Sequence, residues 1–261
     1  MTKSIPQGID YVVFASYGND SVALIQWVYE NELKGNVAVV YSSTDWARDD
    51  WMSRVEKMED WVRSLGFNPC RTYSIGMESL VKKKKAWPRN GMQFCTLELK
   101  IRPAMQWLDE MDPEKRATCL VGVRREESLA RKNFPERLAA SPNHGDRTMW
   151  APLVDVTGIE RDALLVRAGV EPLPHRSMEC SPCVNSSRRD IMLLEEKDIS
   201  KVERIEKELG FTGKGKPRLM FRPEKFMGAT GIREVIRWAK SERGKFRSET
   251  ETDCESGFCA M

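Results

Sequence analysis

The sequence predicts an α/β protein with a mostly parallel sheet, helices on both faces, and a more helical C-terminal part. Three observations carry that class. Short apolar runs recur through the first half, each followed by an amphipathic stretch, the alternation that puts crossover helices between parallel strands. The runs are apolar on both faces, as in Tyr11-Val12-Val13-Phe14-Ala15, which is how strands covered on both sides read. The 261 residues are 41% hydrophobic and 31% charged, enough apolar material for one large core and too much for wholesale disorder.

Each element follows from local pattern. Tyr11 to Ala15 is the first strand, Ser16 to Ser21 is turn chemistry, and Val22 to Leu33 reads as a helix, apolar at Leu24, Trp27 and Val28. Val37 to Tyr41 is the second strand. Asp49 to Leu65 is an amphipathic helix with the stripe Trp51, Val55, Met58, Val62 and Leu65, stopped by Gly66. Cys70 to Ile75 is the third strand. Ile101, Met105 and Leu108 mark another helix, with Pro103 in its first turn, and Thr118 to Val123 is the fourth strand. Helices are then expected at Gly158 to Ala168, Ile199 to Leu209 and Ile232 to Ala239. The resulting division is residues 1–190 for the α/β domain and 191–261 for a helical region with a cysteine-containing tail.

The net charge is +3, unevenly placed. Residues 1–66 carry six basic against ten acidic side chains, and residues 67–150 carry sixteen against ten. The middle third is therefore the expected face for a polyanion. No secretory signal pattern opens the chain, and no run approaches the roughly 18 apolar residues of a membrane helix. Seven cysteines, an odd count, point to a reducing, cytoplasmic setting. Cys70 and Cys119 fall in strands and read as small core residues; His144 and His175 read as surface or loop residues.

Three stretches carry chemistry. Ser16-Tyr17-Gly18-Asn19-Asp20-Ser21 links a strand to a helix, so backbone N–H groups and the helix's positive end suit a phosphate, with Ser16 and Ser21 adding hydroxyls. A plain strand-to-helix turn has the same composition, and Asp20 also fits a helix N-cap. Cys180-Ser181-Pro182-Cys183 spaces two thiolates to grip zinc or two cluster irons, or to act as a dithiol. Lys82, Lys83, Lys84, Lys85 and Arg89 put five charges around Trp87, which suits a nucleic-acid backbone with the indole on a base, and equally a solvated helix face.

The order of these elements resembles a known family. The hexapeptide is similar to the SGGxDS loop of the PP-loop ATP pyrophosphatases, with Tyr17 in place of the first paired glycine. Further similarities follow the phosphoadenosine phosphosulfate reductase branch. They are Asp45 after the second strand, Cys95-Thr96-Leu97-Glu98-Leu99-Lys100-Ile101-Arg102-Pro103, and Gly122-Val123-Arg124-Arg125-Glu126-Glu127-Ser128-Leu129-Ala130-Arg131. Pro152-Leu153-Val154-Asp155-Val156-Thr157 and the late cysteine pair complete the set, over roughly residues 10–190. Within the branch the chain looks most like the iron–sulfur subunit of bacterial DNA phosphorothioation systems of the Dnd and Ssp type.

The resemblance implies an adenine nucleotide alpha hydrolase-like fold and an ATP pyrophosphatase coupled to sulfur transfer. Ser16, Tyr17, Gly18, Asn19, Ser21, Gly122, Arg124 and Arg131 would hold ATP. Asp20 and Asp45 would hold Mg²⁺, since a hard cation prefers carboxylate oxygen. Lys100, Arg124 and Arg131 would neutralise phosphates, and the expected catalytic set is Asp20, Ser21, Asp45, Lys100 and Arg124. Cys95, Cys180 and Cys183 would bind a [4Fe–4S] cluster, with Cys254, Cys259 or an outside group as fourth ligand and zinc as the alternative. Phe94 stands where related adenylylsulfate reductases have an adjacent cysteine. The implied partners are DNA, a cysteine desulfurase or other persulfide donor, and further modification-complex subunits, with no membrane. A sulfonucleotide reductase of sulfate assimilation and a tRNA thiolation enzyme are the alternatives.

Overall fold

The computed structural model describes residues 8–89, 91–221 and 231–241. Strands β1 (Tyr11–Phe14), β2 (Val37–Ser43), β3 (Asn68–Tyr73), β4 (Thr118–Leu120), β5 (Arg137–Ser141) and β6 (Arg147–Trp150) form one sheet in the order β3-β2-β1-β4-β6-β5. All neighbours are parallel except the β5–β6 pair. The fold is the expected α/β class.

Alternation along β1 divides the core. Val13 faces one layer, where helices α1 (Asn19–Glu30), α2 (Asp49–Ser64) and α6 (Gly158–Arg167) bury Leu24, Val55 and Leu165. Val12 and Phe14 face the other, against Ala104 and Leu108 of α5 (Arg102–Met111). Cys70 and Cys119 lie in this second layer as small buried side chains.

A third apolar cluster lies beyond the sheet. It joins Trp46, Leu80 of α3 (Met77–Lys84), Trp87 and Leu99 to the C-terminal helices α8 (Glu196–Leu209) and α9 (Ile232–Ala239) through Val202, Ile205, Val235 and Ile236. The helices after residue 190 thus share apolar contacts with the α/β part. Among the described residues no helix is long and apolar enough to cross a membrane.

Several boundaries move. The first helix begins at Asn19, so Asn19, Asp20 and Ser21 are its first turn rather than loop. The fourth strand stops at Leu120, since β6 offers only Met149 and Trp150 as partners. The β5–β6 hairpin is absent from the sequence reading because β5 is exposed along its first four residues and shows no alternation. His144 is buried rather than superficial, in a turn against Ser141 and Phe14.

The strand order places the site. The chain runs outward from β1 through β2 to β3, then returns to β4 on the other side of β1. The crevice beyond the carboxyl ends of β1 and β4 is therefore the topological switch point, where doubly wound sheets bind ligands.

Candidate active site

A cavity of about 750 Å³ opens at that crevice, within the usual size range of small-molecule sites. The segment after β1 forms one wall. Gly18 lies in extended backbone just before α1, and a Cβ there would sit 3.2 Å from the Ser177 Cβ, so only glycine lets the 177 segment close over the loop without displacement. Ser21 donates from Oγ to the Gly18 carbonyl at 3.1 Å, and the Ser16 hydroxyl accepts from the Gly18 N–H at 3.3 Å. Asn19 exchanges two hydrogen bonds with the Leu173 backbone, at 3.0 and 2.9 Å, and clamps the covering segment.

Tyr17 departs from its expected role. Its φ of +58° is the left-handed value that favours glycine, and its ring is buried in the core, stacked on Tyr41 at 6.0 Å. Burial, then the Glu59 charge, pushes its phenol above the usual range. Only the Tyr17 backbone is left to serve the loop, and Arg54 Nε already binds its carbonyl at 2.9 Å.

The segment after β4 forms the adjoining wall. A Cβ on Gly122 would lie 3.1 Å from the Asp20 carbonyl oxygen, so the two loops meet backbone to backbone. Arg124 donates from Nε to Asp20 at 2.8 Å, and Arg161 approaches the same oxygen at 3.7 Å. Arg124 also pairs with Glu126 at 3.2 Å, and Arg131, nearly fully buried, pairs with Glu127. Burial and the Asp20 charge raise the Glu127 carboxyl. Arg131 lines this wall, and its buried Nε has no hydrogen-bond partner among the described residues.

The third wall carries sulfur. Cys95 lies in α4 (Phe94–Thr96), which runs into a π-helical turn, Leu97–Ile101, and then α5. The π turn carries Lys100, which is buried and ion-paired with Glu179. Cys180 and Cys183 face the same cavity. Their loop is strapped to the segment after β2. Thr44 Oγ1 donates to the Glu179 carbonyl at 2.9 Å, Ser181 N–H to the Trp46 carbonyl at 2.9 Å, and Trp46 Nε1 to the Pro182 carbonyl at 2.9 Å. Burial raises all three thiols above the usual range, with Lys100 opposing it at Cys180 and Arg176 opposing it at Cys183.

Three thiols on one wall suit a cluster, whose irons are spread over a cage and do not need their ligands to meet at one point. Among the described residues no three His, Cys, Asp or Glu side chains close on a single ion, and Cys254 and Cys259 lie outside the described residues. The magnesium pair does not fit. Asp20 is engaged by two guanidinium groups, while Asp45 is exposed beside Gly76 and is not part of the cavity wall. The sequence places both acids after strands, but only the strand order shows that β2 lies outside the switch point.

The basic run is also corrected in part. Trp87 is buried and packs on Trp46 at 6.1 Å between centroids, so it has no face for a base. Lys82 pairs with Glu78 and Glu208, and Lys84 with Glu98. Lys83, Lys85 and Arg89 are exposed without an acidic partner among the described residues. Conversely, Glu179, Arg161, Arg176 and Arg189 line the cavity although no motif singled them out. Glu179 adjoins the CxxC pair and was the one within reach of a sequence signal.

No curated protein matches the sequence significantly. The solved structure of phosphoadenylyl-sulfate reductase from Candida auris, a phosphate complex, superposes with a TM-score of 0.44 at 15% identity, over 65% of this chain and 76% of that one. The profile of the phosphoadenosine phosphosulfate reductase domain matches residues 10–180, the span that holds every wall of the cavity up to the first cysteine of the pair. The chain belongs to the phosphoadenosine phosphosulfate reductase domain family.

Proposed function

We propose that this chain is an ATP pyrophosphatase that adenylates a nucleic-acid backbone phosphate, DNA in the first instance, for sulfur insertion. The observation that carries the reading is one cavity with a phosphate loop on one wall and three thiols on another. The N–H groups at the start of α1, with Ser16 and Ser21, suit the β- and γ-phosphates, whose charge the helix end favours. Arg124 and Arg131, which line the cavity, would meet the charge that builds as pyrophosphate leaves. The acceptor oxygen attacks the α-phosphorus and pyrophosphate departs; the terminal sulfur of a donor persulfide then displaces AMP from the acceptor phosphorus. A second thiol cleaves the remaining S–S bond, leaving the phosphorothioate and a disulfide, whose two sulfurs have supplied the two electrons that reduce the transferred sulfur. A [4Fe–4S] cluster, which Cys95, Cys180 and Cys183 would hold, would supply a binding position for that sulfur. Adenylation matters because a phosphate oxygen is a poor leaving group and AMP a good one.

The DNA acceptor, the desulfurase partner and further modification subunits rest on the resemblance to phosphorothioation enzymes. The family match favours a second reading, reduction of a phosphosulfate nucleotide. The two separate in one assay: pyrophosphate released from ATP against AMP or its 3′-phosphate released from a phosphosulfate, with DNA and tRNA added separately. DNA-stimulated pyrophosphate release, lost in Ser21→Ala and Asp20→Asn, is the expected result. Turnover of the phosphosulfate alone would replace this reading with the reductase.

A further inference from the structure

One stretch of chain joins the phosphate-loop wall of the cavity to the thiol wall. Residues 173–177 all line the cavity, and the chain then runs through the cysteine loop into the short helix α7 (Arg188–Met192). Downstream, the segment after β2 holds this stretch: the Met178 carbonyl accepts from the Arg48 N–H at 3.1 Å and the Glu179 carbonyl from Thr44 Oγ1 at 2.9 Å. Upstream, the phosphate loop holds it. Asn19 Nδ2 donates to the Leu173 carbonyl at 3.0 Å, and Asn19 Oδ1 accepts from the Leu173 N–H at 2.9 Å. Ser177 adds a close approach, its Cβ 3.2 Å from where a Cβ on Gly18 would lie. Asn19 is also the first residue of α1. The opening N–H groups of a helix have no partner within it and suit a phosphate. The same residue therefore offers its backbone to a phosphate and its side chain to the covering segment.

We propose that Asn19 is a positioning residue: it ties the covering segment 173–177 to the start of α1, so that seating a phosphate on α1 and closing the segment are one equilibrium. This rests on the reading above, in which the α1 loop holds the nucleotide. Opening the segment breaks both hydrogen bonds to Leu173 and takes Ser177 away from Gly18, which dismantles one side of the phosphate site. A phosphate therefore binds the closed form, and by linkage its binding opposes opening. Nucleotide keeps the segment shut during adenylation, and departure of pyrophosphate frees it for arrival of the sulfur donor. The partner of Asn19 lies 154 positions away, so no local pattern marks the role.

The test is amide hydrogen exchange on the full chain, read in the peptide covering 173–177, with inorganic pyrophosphate as the probe and its affinity measured by calorimetry. Asn19→Leu is close to isosteric and makes neither bond. A net hydrogen bond is worth about a fivefold factor in an equilibrium, so exchange in 173–177 is expected to quicken roughly twenty-fivefold. Unchanged exchange in β1 shows that the fold is intact. Asn19→Asp keeps an acceptor for the Leu173 N–H and lacks the donor; its exchange is expected between the two, and it decides the question if Asn19→Leu does not fold. Pyrophosphate at about a hundred times its Kd is expected to slow the wild-type segment by up to about a hundredfold, and the variant's far less at equal occupancy. A purely structural role for Asn19 would leave that response intact. Equal exchange in variant and wild type, or an equal pyrophosphate response in both, overturns the proposal. A wild type that binds no pyrophosphate overturns it together with the proposed function. Asn19-dependent protection in a chain that releases no pyrophosphate from ATP fails the proposed function and leaves the positioning role standing.

Discussion

Lys100 and Glu179 are each almost entirely buried, seventy-nine positions apart, and make one ion pair between the π turn and the cysteine loop. Removing one member leaves the other charge buried, which destabilises by roughly 3–5 kcal/mol. Lys100→Met alone is therefore expected to lower the urea midpoint strongly. The double variant Lys100→Met/Glu179→Met is expected to recover most of the stability and none of the turnover, which separates folding from catalysis; recovery of turnover would make Lys100 structural only. His144 gives a pH signature of its own. Burial first, and the Arg147 charge second, hold its imidazole down to about 4 from the ordinary 6.5. Between those values only the unfolded chain takes the proton, so stability is complete above pH 6.5 and falls towards pH 4, by at most roughly 1.4 kcal/mol per pH unit. Urea unfolding of His144→Gln should show a flatter decline over that window, and an equal decline would move the acid sensitivity elsewhere. Neither residue was legible in this role. Lys100 stood out only as a motif cation, since its partner is remote in sequence, and His144 had no local pattern to reveal its burial.

The cysteine loop is held by elements rather than by its own sequence. Lys201 of α8 donates to the Ser181 carbonyl at 3.0 Å and lies 3.9 Å over the Trp46 ring, while the Ser181 hydroxyl reaches Asp198 at 3.3 Å. Burial lowers the Lys201 ammonium, with Asp198 opposing that shift. Helix α8 is thus a brace for the thiol wall, and its cation-π contact adds on the order of 1–2 kcal/mol in a partly desolvated setting. Lys201→Met keeps the stem and removes the brace. Alkylation of Cys180 and Cys183, followed by peptide mass spectrometry, is expected to quicken roughly tenfold, as loss of about 1.4 kcal/mol from the closed loop implies, with Cys70 and Cys119 unaffected. Equal rates in variant and wild type would detach α8 from the loop. At this scale the sequence was informative about the elements and silent about the brace. Period and capping mark α2 and α6, the latter opened by a Thr157–Glu160 capping box. Nothing in the pattern of α8 shows that its polar Asp198 and Lys201 face a loop rather than solvent.

The whole molecule decides what the basic run can do. The α/β class was legible because strand and helix periods are local, and the phosphate loop was legible because it sits between them. The third apolar cluster was not, because it joins residues 46–99 to residues 191–239. Trp87 belongs to that cluster, and its charged neighbours disguised a core residue as a nucleic-acid contact. Packing of α3 near α8 also supplies Glu208, which with Glu78 neutralises Lys82, while Glu98 neutralises Lys84. Of five charges, Lys83, Lys85 and Arg89 remain to displace counterions. Duplex DNA contributes about −0.9 to the slope of log K against log salt for each neutralised phosphate. Replacing Lys83, Lys85 and Arg89 with Ala should therefore flatten the slope by up to roughly 2.7, three such contacts. Lys82→Ala/Lys84→Ala should change it by less than about one contact, because those ammonium groups already face carboxylates. Trp87→Ala should leave the slope alone and cost roughly 3–5 kcal/mol of stability, as loss of a buried indole does. Fluorescence anisotropy across a salt series, with urea unfolding of the same variants, reads all three. If the slope resides in Lys82 and Lys84 instead, those ion pairs must open on DNA, and the contact would have to break the link between α3 and α8 through Glu208 that gives this face its present charge.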